Sequence, residues 1–111
     1  MSGQRVLEIE SLPESGIDAS ARFMRDHLDD AVAMARGDGV DALVIVLPAA
    51  GPDHADWRRA LARDLARDMA QDKAPRRVNV VGGSPGPARD HVIDYLANAP
   101  GVTGQYLEAH V

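Results

Sequence analysis

Between Asp41 and Pro48 the chain runs through six consecutive apolar residues, Ala42-Leu43-Val44-Ile45-Val46-Leu47. A strand sends alternate side chains to opposite faces, so it can be apolar at every position only where both faces are covered, as in the middle of a parallel sheet. Arg77-Val78-Asn79-Val80-Val81 is a second such run, with Val78 and Val80 on one face and Asn79 and Val81 on the other. Two further runs are half polar. In Arg5 to Glu10, Val6, Glu8 and Glu10 alternate with Leu7 and Ile9; in Gln105 to Val111, Tyr106, Glu108 and His110 alternate with Leu107, Ala109 and Val111.

Three longer segments of helical period separate these four strands. The first is capped by Asp18 or Ser20 and runs to about Arg36, with Phe23, Met24, His27, Leu28, Ala31, Val32 and Ala35 along its apolar stripe and Gly37-Asp38-Gly39 as its stop. The second starts at Asp53, an N-cap residue type, and runs to about Gln71. Trp57, Leu61, Leu65 and Met69 repeat every four residues, while Arg58, Arg59, Arg63, Asp64, Arg67 and Asp68 are assigned to the opposite side. The third opens at Ser84 to Pro87, turns Val92, Ile93, Leu96 and Ala99 inward, and stops at Pro100-Gly101. Strand, helix and strand in regular alternation predict an α/β domain over residues 1–111: β-α-β-α-β-α-β, a four-stranded parallel sheet and three helices.

The half-polar strands come first and last and the apolar ones between, so the expected strand order is that of the chain, 1-2-3-4. Right-handed crossovers that always step the same way put every helix on one face of the sheet. The other face, Val44 and Val46 or Leu43, Ile45 and Leu47, would then meet water, and an apolar patch of several hundred Å² rarely stays open on a monomer. That geometry predicts a covering partner, either a second copy or another chain, unless the sheet is doubly wound.

Composition narrows the function. A formal net charge of −5 and Arg and Asp mixed along the helices argue against phosphate-backbone binding, and 4% aromatics leave no platform for stacking bases. Neither a signal-peptide core after Met1-Ser2-Gly3-Gln4-Arg5 nor an apolar run of about 20 residues is present, so the expectation is a cytoplasmic protein with no membrane span. The absence of cysteine agrees with that compartment and removes thiolate chemistry. Lys73 is the single lysine, which narrows amine catalysis.

From about Phe23 to Glu108 the chain resembles the C-terminal half of a short-chain dehydrogenase/reductase, a Rossmann-like family. Leu61-Ala62-Arg63-Asp64-Leu65-Ala66-Arg67-Asp68-Met69-Ala70 is similar to the helix that follows the family's active-site tyrosine and lysine. Arg77 to Val81 is similar to the next strand, and Pro85-Gly86-Pro87 to the Pro-Gly turn beside the nicotinamide. Tyr95-Leu96-Ala97 and Val102-Thr103-Gly104-Gln105-Tyr106-Leu107-Glu108 resemble the last helix and strand. The resemblance implies a reaction that needs tyrosine as proton donor, lysine to lower its pKa and serine to orient the carbonyl. Counting back from Leu61 puts the tyrosine and lysine near Gly51 and Ala55, and the serine falls among Pro48, Ala49 and Ala50. Gly82-Gly83-Ser84 is no dinucleotide fingerprint, and no acidic residue follows at the ribose-binding distance. The expectation is a degenerate half domain with no catalytic residue, cofactor or metal of its own.

Such a chain would work by association, as a homo-oligomer or as partner of a larger dehydrogenase-like protein, through Phe23, Met24, Leu28, Trp57, Leu61 and Leu65 on the two helices that contact a neighbouring subunit in the resembled family. Core packing is the alternative for each of these residues. A second reading is a module that binds an anionic metabolite or nucleotide at Gly82, Gly83 and Ser84, where a glycine-rich turn meets a helix start; the alternative there is a simple capping loop. A third is half of a two-chain oxidoreductase. Asp53-His54-Ala55-Asp56 places an imidazole between carboxylates and reads as a solvated helix start, since His27, His91 and His110 supply no further ligands at metal-site spacing.

Overall fold

The computed structural model describes residues 3–71 and 75–110, so Lys73, Val111 and the Met1-Ser2 start lie outside the described residues. The strands are β1 (Gln4–Glu8), β2 (Ala42–Leu47), β3 (Arg77–Gly82) and β4 (Tyr106–Glu108). All pair in parallel in the order β1-β2-β3-β4, as the burial pattern implied. The central strand β2 is buried along its whole length. In register, Leu7 lies beside Ile45 and Ile45 beside Val80, while Val46 lies beside Val81 and Val81 beside Leu107.

The helical layer is α1 (Gly16–Asp26), α2 (Leu28–Ala35), α3 (Ala55–Met69) and α4 (Pro87–Ala97), with a 3₁₀ turn at Pro52–His54 ahead of α3. The expected single first helix is therefore two, broken at His27, whose φ of −127° is not helical. The break lets Phe23 on one piece and Ala31 and Ala35 on the other enter the same core. Its cap is Ser15, whose hydroxyl accepts from the Asp18 amide, and not Asp18 or Ser20. Asp53 caps no helix of its own. Its Oδ2 accepts from the Gly16 amide at 2.9 Å and so ties the start of α1 to the 3₁₀ turn.

The expectation of one-sided cladding is overturned. Helices α1, α2 and α3 pack on the face carrying Leu43, Ile45, Leu47, Val78 and Val80. Helix α4 packs on the other, where Val44, Val46, Val81 and Leu96 form a second core with Val92, Ile93, Val102 and Leu107. The strands step one way throughout while the last helix changes sides, so the third crossover has the opposite hand to the first two. Side chains of β3 hold it there. Arg77 Nη1 donates to the carbonyls of Leu96 and Ala99, both at 2.9 Å, capping the end of α4. The buried Asn79 amide donates to Val102 O and accepts from the Gln105 amide, both at 3.0 Å. An uncovered sheet face thus gives no argument for a partner.

Candidate functional site

Four strand ends converge at the carboxyl edge of the sheet, where open α/β folds hold ligands. The segment Pro48-Ala49-Ala50-Gly51 leaves β2 across this edge. Backbone bonds fix its surroundings: Ile9 N to Val46 O at 2.8 Å, Gly83 N to Leu47 O at 3.1 Å, and Ala109 N to Gly82 O at 2.8 Å. On one side of the segment lies a cavity of about 300 Å³, walled by residues 10–14, by Pro48 to Gly51, and by His54 and Arg58. On its other side, Gly83, Ser84, Pro85 and Arg89 help to line a cavity of about 280 Å³. A smaller one of about 100 Å³ lies between Arg58, Tyr106, Gly82 and Gly83.

Arg58 is the unexpected member of this site. Assigned from its charge to the solvent side of the helix, it is only 1% exposed. Helical spacing does place it inward, since positions 58, 61, 62, 65, 66 and 69 form one stripe and all are buried. Nη2 donates to the Pro48 carbonyl at 2.9 Å and Nη1 to the Tyr106 hydroxyl at 3.1 Å. The guanidinium carbon lies 5.5 Å from the Trp57 ring centre and 5.7 Å from that of Tyr106, both within cation–π range. Nε is buried without an acceptor.

Gly82 is what lets this pair cross the strand end. A Cβ there would stand 2.6 Å from the Tyr106 hydroxyl and 2.8 Å from Arg58 Nη1. Next to it Gly83 has φ +152° and faces Ala109, a conformation open chiefly to glycine. The Gly82-Gly83-Ser84 turn does line cavities, yet the Gly83 amide already donates to Leu47 O and the helix begins only at Pro87, after its Gly86 cap. Two of the amides an anion cradle would use are therefore occupied or missing.

His54, expected at a solvated helix start, is 3% exposed. Trp57 Nε1 can only donate, and it points at His54 Nδ1 over 3.4 Å, so the imidazole proton sits on Nε2 and is donated to Glu14 O at 2.7 Å. Nε2 thus ties the 10–14 segment to the start of the helix, while Nδ1 is taken up by Trp57 within it. Of the other residues singled out from the sequence, Phe23, Leu61 and Leu65 are buried in the chain's own core, Leu28 and Trp57 are half-buried against it, and Met24 is 41% exposed. Among the described residues no cluster of His, Asp or Glu could hold a metal ion, and no helix is long and apolar enough to cross a membrane.

Burial pushes the Tyr106 hydroxyl above the ordinary tyrosine pKa of 10.0; the Arg58 hydrogen bond and charge pull it down, and Glu108 adds to the rise. A tyrosine that ionises less readily folded than unfolded stabilises the protein at neutral pH. That contribution is lost as pH climbs past the unfolded value toward the folded one. Alkaline unfolding is therefore expected to begin earlier in the native protein than in Tyr106→Phe, as measured by circular dichroism alongside phenolate absorbance.

Gly51 and Ala55, near which the resemblance would put the family's proton-donor tyrosine and lysine, lie at the end of this segment and in the first turn of α3, and Pro48 to Gly51 wall the cavity of about 300 Å³. The family model described as short chain dehydrogenase-like protein matches residues 7–109. No curated protein and no solved structure gives a significant match.

Proposed function

The chain belongs to the short-chain dehydrogenase-like family, and on that premise we propose that it is a ligand-binding member with no dehydrogenase chemistry of its own. The cavity of about 300 Å³ at the carboxyl edge carries this reading. The resemblance would put the family's reacting side chains near Pro48, Ala49, Ala50, Gly51 and Ala55, and none of these side chains has a proton to donate or a hydroxyl to orient a carbonyl. What remains is a half-open cleft with apolar walls and a few polar groups, the composition of a small-molecule site. The ligand is an anionic metabolite held next to Arg58, with Gly82 and Gly83 shaping the adjoining wall. A thermal-shift screen of small organic acids, neutral metabolites and nicotinamide nucleotides tests it. At least one compound is expected to raise the melting temperature without being turned over; a screen in which none does so removes the support.

Association is the second reading, favoured by one observation. Strand β1 is a sheet edge, with Val6 43% exposed on it, and an edge of this kind accepts a further strand from another chain. A dehydrogenase-like partner supplying the missing nucleotide-binding half, or a second copy of this chain, would pair there. The outer side of α3 weakens a helix-mediated contact, because Arg59, Arg63, Asp64, Arg67 and Asp68 are exposed along it. Light scattering over a wide concentration range, and co-elution with nicotinamide-dependent assays of mixed chains, separate these forms of association.

A further inference from the structure

Strand β1 has one neighbour and one open edge. Ile9 N donates to Val46 O, and Gly3 O accepts from the Asp41 amide, so the odd-numbered residues turn their backbone groups toward β2. Alternate residues of a strand point theirs to opposite edges, which directs the N–H and C=O of Val6 and Glu8 outward. Proteins guard such edges with lysine, proline, bulges or charges turned toward them. Gln4–Glu8 has no lysine or proline, and Arg89 Nη2 draws the Glu8 carboxylate back onto α4 at 3.3 Å. Arg5 and Val6 are both exposed and stand on opposite faces, so the edge is open on both sides.

Val6 also marks where the second core stops. Val44, beside it in register, is 1% exposed and packs with Val46, Val81 and Leu96; Val6, one strand further out on the same face, is 43% exposed. Resting on the reading of β1 as an edge that accepts a strand from another chain, we infer that the occupant is β1 of a second copy, antiparallel about a two-fold axis at Val6. An axis normal to the sheet keeps the two α4 helices on one side of the joined sheet and the two α1–α3 layers on the other. An unrelated strand would have to bring an apolar side chain at the same height and helices on both faces. A second copy brings them by symmetry.

The side chains set the register. Centred on Val6, the pair puts valine against valine, with each Val6 amide donating to the other's carbonyl, and sets Glu8 opposite Gln4 of the copy. Centred on Glu8 it would oppose two carboxylates, and centred on Leu7 it would set Val6 against Glu8. On the other face the aliphatic stem of Arg5 crosses the half-buried Leu7 of the copy. Two five-residue strands make a small interface, so the dimer is expected to dissociate at a concentration on the order of 10 μM.

The test uses the full chain, which has no cysteine of its own to interfere. Val6→Cys is expected to form a disulfide-linked dimer under mild oxidation, because facing Cα atoms about 5.5 Å apart are within disulfide reach. Glu8→Cys, whose two copies would stand roughly 14 Å apart, is expected to stay uncoupled. Light scattering of the native protein from about 1 μM to 1 mM is expected to show a passage from monomer to dimer. Val6→Lys puts two ammonium groups on the axis, and Val6→Pro removes both bonds there while touching none to β2. Each is expected to dimerise at least tenfold more weakly with an unchanged circular dichroism spectrum, and Val6→Lys decides if Val6→Pro fails to fold.

Glu8→Cys that couples as readily as Val6→Cys overturns the axis at Val6 and leaves the edge reading intact. A native protein that is monomeric throughout overturns the second copy; the edge reading then stands if a dehydrogenase-like chain co-elutes with the native protein and not with Val6→Lys. A native dimer that survives both Val6 variants, or no association with either kind of chain, overturns the edge reading and the second copy with it.

Discussion

Phe23→Ala is expected to destabilise the protein by about 3–5 kcal/mol, the range for removing a large side chain from a close-packed interior. The ring is fully buried on α1, with ring centres 5.8 Å from His27 and 6.0 Å from Trp57. It belongs to the core that includes Leu43, Ile45 and Leu47. Truncation leaves a void between the helical layer and the sheet that β2, fixed by strands on both sides, cannot collapse to fill. Domains of this size have about 5–15 kcal/mol of total stability, so the variant should sit near the edge of folding at physiological temperature. Urea unfolding followed by circular dichroism measures the loss. The same residue, read from sequence as an interface candidate, would instead alter association and leave the protomer's stability within about 0.5 kcal/mol of native.

The layered α/β class and the sheet order were legible because they rest on burial by strands. Six apolar residues in a row leave β2 no position but a central one, and half-polar β1 and β4 no position but the edges. The side taken by α4 was not legible, because the handedness rule that serves nearly all crossovers was applied to one that departs from it. The residues that hold α4 in place were in view. Arg77 and Asn79 stand on the face it covers, but a lone Arg and a lone Asn in an apolar strand do not show which carbonyls they will cap.

At the site the misreading was of another kind. A stripe drawn through Trp57, Leu61, Leu65 and Met69 leaves Arg58 on the polar side, whereas the buried stripe runs through 58, 61, 62, 65, 66 and 69, and Arg58 is enclosed by Trp57, Tyr106 and Pro48. His54 was misplaced because a polar residue among carboxylates looks solvated until a carbonyl from residue 14 and a tryptophan from the next turn are seen to enclose it. Both groups belong to contacts between segments far apart in the chain, which local patterns do not encode. The resemblance, by contrast, does not rest on local pattern, and the residues it singles out, Pro48 to Gly51, lie together along one wall of the cavity at the carboxyl edge.

Gly16→Ala should be the second large effect, about 2–5 kcal/mol, and the one that also reaches the cavity. A Cβ at this position would lie 2.3 Å from the Asp53 carbonyl oxygen and 3.0 Å from its carbon. Both are backbone atoms, so no change of rotamer relieves the overlap, and α1 must draw back from the 3₁₀ turn. Doing so stretches the 2.9 Å bond from the Gly16 amide to Asp53 Oδ2, a charged acceptor whose loss adds to the cost of overpacking. The neighbouring contact from His54 Nε2 to Glu14 O closes the same wall, so residues 10–14 should loosen with it. Asp53→Asn separates the two contributions, for it weakens the hydrogen bond and leaves the close approach in place. Chemical denaturation of both variants, with amide exchange at residues 10–14, is expected to show the larger loss and the faster exchange in Gly16→Ala. Equal losses would put the effect in the hydrogen bond and not in the contact between backbones.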